Sequence, residues 1–406
     1  MTTSRRIAWS AWVIVSTFYA YQYILRVMPS ILVDDIMAQF QIDPIVFGQF
    51  SGLYYIGYSL MHVPLGILLS RYNGRLIITG CIFLSILGTL PIIFCDHWFY
   101  LLAGRTLVGM GSSGAILGVF NTVRTNFPEK QFSRMLSFAV TIGLLGAMYG
   151  GAPVGYLCSH FGYKPVVQII SIVGVFLGAL AYLALPKHPV EKVSNSIFQD
   201  MKDVFLNGRV VALCIFSGLM VGPIEGFADV WGPQFLKHTY GFDNTLAASL
   251  PSMIFMGMCF GSPVLSIIAE RTNYYLGSIA GAGILMASVF FSLIFQSMTP
   301  QIMGISFILV GVCCSYQILT VYMASTFAPK RVAELAGATA NMIIMSFGYL
   351  FHTVIGIVLT ELGGKDNPTA FKFAISVIPI GLVAGVLGMF AISYLEKRKI
   401  NRKAVA

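Results

Sequence analysis

Charge is what this sequence has least of. Of its 406 residues only 10% are Asp, Glu, Lys or Arg, where a soluble domain carries about 25%. So few charges cannot cover the surface of a soluble protein of this length. Soluble enzymes and nucleic-acid binders are thereby excluded. A cysteine framework is missing too. Cys81, Cys95, Cys158, Cys214, Cys259, Cys313 and Cys314 make an odd number, with no CxxC pair and no histidine at zinc-ligand spacing. They are expected to be small buried hydrophobes, with no disulfide scaffold and no metal site. No GxxxxGK[ST] loop occurs, so ATP does not act through this chain, and no cofactor is expected. No nucleophile–base–acid set stands out either, so the chain is not read as an enzyme. The first apolar run lacks a small-residue cleavage site and is expected to be a retained span, not a signal peptide.

What is present is apolar length. Residues of the AVILMFWYC class make up 57% of the chain, and a bilayer core needs about 20 apolar residues of helix. Runs of that length number twelve: 8–29, 46–70, 76–95, 98–121, 135–157, 165–185, 209–233, 246–269, 275–296, 301–324, 335–360 and 372–395. None alternates apolar with polar as barrel strands do. Glycine, 41 residues in all, clusters inside these runs, as close helix packing in lipid requires. The polar stretch 186–208 splits the spans six and six, and Ile197, Met201, Val204 and Phe205 within it predict a short interfacial helix. The expected organisation is a bundle over 1–185, a cytoplasmic linker over 186–208, a second bundle over 209–395 and a basic tail over 396–406.

With the N-terminus taken as cytoplasmic, 19 of the 25 Lys and Arg residues fall on the inner side and 4 outside, leaving Arg26 and Arg105 within spans. The acids divide seven and seven, with Glu225 and Asp229 in a span. That bias is the positive-inside pattern, and it places both termini in the cytoplasm. The net charge of +9 is then topological and requires no nucleic acid.

A shift of about 200 residues superposes the halves. Gly66-Ile-Leu-Leu-Ser70-Arg71 falls on Ser266-Ile-Ile-Ala-Glu270-Arg271, Phe127-Pro128 falls near Ala328-Pro329, and Gly109 falls near Gly311. An internal repeat of six spans predicts two bundles facing across a cavity, an arrangement suited to moving a solute.

On these residues the chain resembles the major facilitator superfamily along essentially its whole length. Gly66-Ile-Leu-Leu-Ser70-Arg71-Tyr72-Asn73-Gly74-Arg75 is similar to the family's loop G-x-L-x-D-R-x-G-x-R, with Ser70 for the usual Asp and Asn73 for the second Gly. The second-half copy keeps an acid, Glu270, before Arg271. The resemblance implies a gating role for Gly66, Ser70, Arg71, Arg75, Glu270 and Arg271, and a weak first-half lock, since Ser70 cannot pair a charge. Arg105-Thr-Leu-Val-Gly109-Met-Gly111 resembles the fourth-span motif R-x-x-x-G-x-G, which implies a central-cavity, gating or proton-related role for Arg105. A purely structural ion pair is the alternative. Gly146-Ala-Met-Tyr-Gly150-Gly151-Ala-Pro153-Val-Gly155 is similar to the antiporter motif, with the proline displaced by two positions, and Phe161-Gly162-Tyr163-Lys164 resembles the turn before the sixth span. Gly109-Met-Gly111-Ser-Ser-Gly114 also spells GxGxxG. A dinucleotide site needs a strand before it, so these glycines are expected to serve helix packing.

Charges within spans cost about 2.5–3.5 kcal/mol each if unpaired. By position, Arg26, Arg105, Glu225 and Asp229 all fall in the outer half of the membrane. Glu225 and Asp229 stand at i, i+4 on one helix face. Their mutual repulsion favours one of them holding a proton, which makes both candidates for proton coupling; Asp229 could instead be solvated at the exit. Tyr19, Gln22, Tyr23 and Arg26 form one polar-aromatic stripe that must face inward, although Arg26 could snorkel to the headgroups. An Arg26–Glu225 pair across the halves is the sharpest structural expectation. Tyr58, Gln317 and Asn341 join Tyr19, Gln22, Tyr23, Arg26, Arg105 and Glu225 as candidate substrate-binding residues. Tyr54, Tyr55, His62, Tyr316 and His352 are weaker candidates, and Trp231 and Tyr21 fit an interfacial belt.

The fold expected is all-α and integral to the membrane: twelve helices in two pseudo-symmetric six-helix bundles. The function expected is secondary transport of a small carboxylate-bearing or zwitterionic solute (amino acid, short peptide or organic acid) by proton-coupled symport. The partners are then the solute, the proton and the lipid bilayer. The chain is expected to be a monomer in a bacterial inner membrane. The alternatives are a drug exporter, a siderophore-type chelate transporter, or a transport-inactive sensor or scaffold.

Overall fold

The computed structural model describes residues 3–128, 131–186, 197–364 and 366–405. Among the described residues the chain is helical and holds no strand. The first half runs α1 (Thr3–Val27), α2 (Pro29–Phe40), α3 (Pro44–Arg71), α4 (Gly74–Phe94), α5 (Trp98–Asn126), α6 (Phe132–Gly150), α7 (Ala152–Phe161) and α8 (Tyr163–Ala184). The expected linker helix is α9 (Ile197–Phe205); residues 187–196 lie outside the described residues. The second half runs α10 (Gly208–Gly218), a π-helix (Pro223–Trp231), α11 (Gly232–Tyr240), α12 (Asn244–Thr272), α13 (Tyr275–Phe295), α14 (Pro300–Cys314), α15 (Tyr316–Phe327), α16 (Ala333–Glu361), α17 (Pro368–Ile375) and α18 (Val377–Val405).

Helix starts are written locally. Asp43, Asn73, Asn207, Asp243, Thr299 and Asn367 each accept a backbone N–H of the first turn they precede. Pro44, Pro300 and Pro368 follow three of these caps, where proline's missing N–H costs nothing. Eleven segments among the described residues are long and apolar enough to cross a membrane. α1 is not among them, because the stripe of Tyr19, Gln22, Tyr23 and Arg26 dilutes its apolar face. It nonetheless completes the set of twelve, with Ala11, Val15, Phe18 and Leu25 wholly buried.

Spans five, seven, ten and twelve are each broken, at Gly151, over Leu219–Gly222, at Ser315 and at Ser376. Helix α2 was not foreseen; Pro29 starts it immediately after α1 ends. All seven cysteines are free; Cys81, Cys214, Cys313 and Cys314 are buried as expected, whereas Cys95, Cys158 and Cys259 are half-buried.

The repeat is built into the packing. A Cβ on Gly57 would stand 2.2 Å from the Thr106 carbonyl oxygen, and one on Gly109 1.9 Å from that of Tyr54. Two hundred residues on, Gly257 would meet the Ile308 oxygen at 2.0 Å and Gly311 that of Ile254 at 1.9 Å. Spans two and four thus lock together as spans eight and ten do. Gly111 and Gly114 close likewise onto Cys81, so the GxGxxG string is helix packing.

Between the halves, α3 runs antiparallel to α16. Along one stripe of α3, Gly48 lies against His352, Gly52 against Tyr349, Tyr55 against Gly348, Ser59 donates to the Met342 carbonyl (3.0 Å), and His62 meets Asn341 (3.4 Å). The next residue of that stripe is Gly66, whose Cβ would find nothing within 4 Å. The seam therefore closes the end away from the basic loops and parts toward them. At the closed end Lys237 also bonds Asp34 (3.0 Å), Gly151 lies against Ser252, and Gly356 against Pro44.

Candidate functional site

Three side chains from two spans converge between the halves. The last turn of α1 carries Arg26, and the π-helix carries Glu225 and Asp229. Arg26 Nε donates to Asp229 Oδ2 at 2.6 Å, while its Nη2 donates to Glu225 Oε2. Arg26 is 6% exposed, Glu225 0% and Asp229 1%, so this is a desolvated triad and snorkelling of Arg26 is excluded. The expected pair across the halves is present, with Asp229 added to it. Tyr55 donates to Asp229 Oδ2. The rings of Tyr23 and Tyr55 lie 5.2 and 5.3 Å from the guanidinium carbon. One oxygen of each acid, Glu225 Oε1 and Asp229 Oδ1, is buried without a hydrogen-bond partner.

Local sequence explains why the acids stand there. Span seven unwinds at Met220-Val221-Gly222-Pro223, since Pro223 has no N–H to continue the ladder and Gly222 must fit against the Phe351 ring. The chain resumes as a π-helix with i→i+5 bonding, a rare form that concentrates at functional sites. His352 of α16 donates from Nε2 to the Glu225 carbonyl, and the His352 carbonyl accepts from Trp231 Nε1 at 3.2 Å. The widened segment is thereby pinned at both ends by one residue. Trp231 is wholly buried and Tyr21 is 4% exposed against Gly174, which corrects their expected places in an interfacial belt. Gly174 takes the Tyr21 ring, and Phe47 packs edge-on to Trp231.

Among the described residues Arg105 forms no ion pair. Its Nε donates to Ser51 O (3.3 Å), Nη1 to Leu25 O (2.7 Å) and Nη2 to Arg26 O (2.8 Å), with the Tyr54 ring 4.9 Å away. Leu25 and Arg26 lie in the last turn of α1, where carbonyls lack helical partners. Arg105 therefore caps the last turn of α1, the turn that carries Arg26.

Toward the open end, polar groups continue among aromatic rings. Gln22 accepts from Tyr54 (2.6 Å), and Tyr54, Tyr58 and His62 are stacked in sequence. Asn341 reaches Tyr58 (3.5 Å) and His62, whose other nitrogen meets Ser113 (3.1 Å). Tyr19 packs over Gly143 and edge-on to Tyr23. Gln317 is half-buried with an unpartnered Nε2, while Tyr316 turns away to bond Ser217 O. Of the gating candidates, Glu270 and Arg271 are exposed, and the Arg75 guanidinium lies 4.5 Å from the Tyr182 ring. The side chains of Ser70 and Arg71 lie outside the described residues.

A profile of the Major Facilitator Superfamily matches residues 11–351. The chain belongs to the major facilitator superfamily. Its similarity to NicT of Pseudomonas putida, named as a metabolite transport protein, is 23% identity over 98% of this chain and 95% of that one. A nitrite extrusion protein of Bacillus subtilis is 24% identical over 82% of each chain. Among solved structures, an inward-facing, unoccupied bacterial homologue of the human lysosomal transporter spinster superposes with a TM-score of 0.73. That match has 14% identity and covers 97% and 96% of the two chains. The chain is thus a multi-pass membrane transporter of the superfamily's two-bundle fold and not an enzyme. Sequence reading ranked Tyr55 and His352 only among the weaker candidates. Tyr55 carried one signal, its place on the glycine-bearing stripe of α3; His352 acts through a main-chain carbonyl that no side-chain pattern announces.

Proposed function

We propose that this transporter carries a small carboxylate-bearing or zwitterionic solute together with protons, by rocking residues 1–185 against 209–395. In this reading 186–208 is the linker and 396–406 a cytoplasmic tail. The positive-inside rule makes the basic, open end cytoplasmic, so the state described is inward-facing in a bacterial inner membrane, with the chain acting as a monomer.

The observation that carries the reading is how Arg26 is occupied. Nε and Nη2 form the side-on edge of a guanidinium, the edge that grips a carboxylate bidentately. Here each of its two donors holds a different acid. A cargo carboxylate that takes this edge displaces Glu225 and Asp229 together, and a displaced acid left as a buried, uncompensated anion is strongly disfavoured. A proton removes that charge. Cargo and proton then load and leave together, which is symport. Arg105 holds the α1 turn that aims the edge, and Gln22, Tyr23, Tyr58 and Asn341 line the approach.

Lower pH on the loading side favours the protonated, displaced acid, so uptake should rise as that pH falls. In proteoliposomes the double variant Glu225→Gln, Asp229→Asn should lose most pH-gradient-driven uptake while cargo exchange between the two faces persists at saturating cargo. Intact gradient-driven uptake with unchanged exchange would overturn the coupling assigned to these two acids.

A further inference from the structure

We infer that the cargo is an α-amino acid, its carboxylate on Arg26 and its ammonium group on Glu225. This rests on the carboxylate reading above and narrows it to one class. Two buried acceptor oxygens, Glu225 Oε1 and Asp229 Oδ1, lack any donor in a site from which bulk water is excluded. Buried acceptors are costly when unpaired, so the missing groups are donors. Once a cargo carboxylate takes the Arg26 edge, both acids lose their cation as well. An ammonium group has three N–H donors and no acceptor, so it answers both deficits at once. A solute bearing only a carboxylate would add a third anion and answer neither.

Glu225 is the acid to yield. Asp229 accepts from both Arg26 and Tyr55, whereas the Glu225 carboxylate accepts from Arg26. The faces of Tyr23 and Tyr55, already against the Arg26 cation, suit a second cation beside it. Spacing selects among zwitterions. Glu225 now touches the same guanidinium edge that the cargo carboxylate must occupy, so the ammonium has to lie beside that carboxylate. An α-amino acid meets this condition, and a γ-amino acid does not. The charge balance differs too: an amino acid compensates one displaced acid itself and needs one proton, where a plain carboxylate needs two.

The test uses the purified full-length protein, first by thermal shift with each of the twenty standard L-amino acids. Each amino acid that binds is then compared by calorimetry with its counterparts lacking one charge. For leucine these are 4-methylpentanoate and 3-methylbutylamine, and γ-aminobutyrate probes the spacing. We expect at least one amino acid to bind, and loss of either charged group to weaken it by about tenfold or more. In Glu225→Gln the preference for the amino acid over its des-amino counterpart should collapse toward one. Failure of every amino acid to bind, or equal binding of parent and des-amino acid in the unmodified protein, would overturn the inference without touching the carboxylate reading. That broader reading falls separately, if Arg26→Gln leaves carboxylate uptake unchanged.

Discussion

Arg26→Met should abolish uptake and, in the same variant, lower the temperature at which the protein unfolds. Both follow from one geometry. Glu225 and Asp229 are wholly buried and share this single guanidinium. Breaking a buried pair by removing one partner costs about 3–5 kcal/mol, because the remaining charge stays uncompensated. Replacing all the charged members by neutral groups of similar volume is, by contrast, often neutral for stability. The triple variant Arg26→Met, Glu225→Gln, Asp229→Asn should therefore regain most of the lost thermal stability and none of the transport. Thermal unfolding in detergent and uptake by proteoliposomes read the two effects apart. A single variant as stable as the parent would mean that the acids have another cation in this state. A transport-competent triple variant would remove the triad from the mechanism altogether.

Gly48→Leu should trap the transporter with its sealed end open. Any Cβ at this position stands 2.3 Å from the His352 carbonyl oxygen, a main-chain atom already engaged by Trp231. The clash is absent once α3 and α16 separate, so the substitution penalises one conformation selectively. Overpacking of this kind costs about 1–3 kcal/mol, which shifts a two-state equilibrium by roughly 5- to 150-fold. Uptake should fall by a comparable factor. A single cysteine at Thr360, on an otherwise cysteine-free background, should react faster with an impermeant maleimide from that side, since Thr360 bonds the Ile45 N–H at 3.2 Å when the seam is closed. Gly80→Ala is the control, with nothing within 4 Å of its Cβ. Unchanged labelling and uptake in Gly48→Leu would show that this seam does not gate.

The spans were legible because lipid makes their lengths and charges obligatory, and their expected bounds overlap those of the helices; 76–95 and 165–185, for example, overrun α4 and α8 by one residue. The Arg26–Glu225 pair was legible for a related reason. A charge in the wrong solvent must find a partner, and few were on offer. Backbone irregularity was not legible. Met220-Val221-Gly222-Pro223 marks a break, but the π-helix that follows is tied to His352, 127 positions beyond the Glu225 whose carbonyl it bonds. The partners of Arg105 were hidden for the same reason. Its type and motif suggested cargo or a carboxylate, while its partners are the carbonyls of Ser51, Leu25 and Arg26, which every sequence possesses and none advertises. The loop charges of Glu270 and Arg271 stand exposed at the parted end, where a lock that forms only on closing would leave them.

The wide turn in span seven means that this stretch of chain has a fixed length. Remove one residue anywhere in Pro223–Trp231 and ordinary helical winding becomes the easier path. Everything downstream would then swing by about 100° and shift by about 1.5 Å. Trp231 would leave its place against Phe47, and Lys237 would lose Asp34. A deletion too small to register as damage in most membrane helices would here disconnect the shutter from the cargo seat.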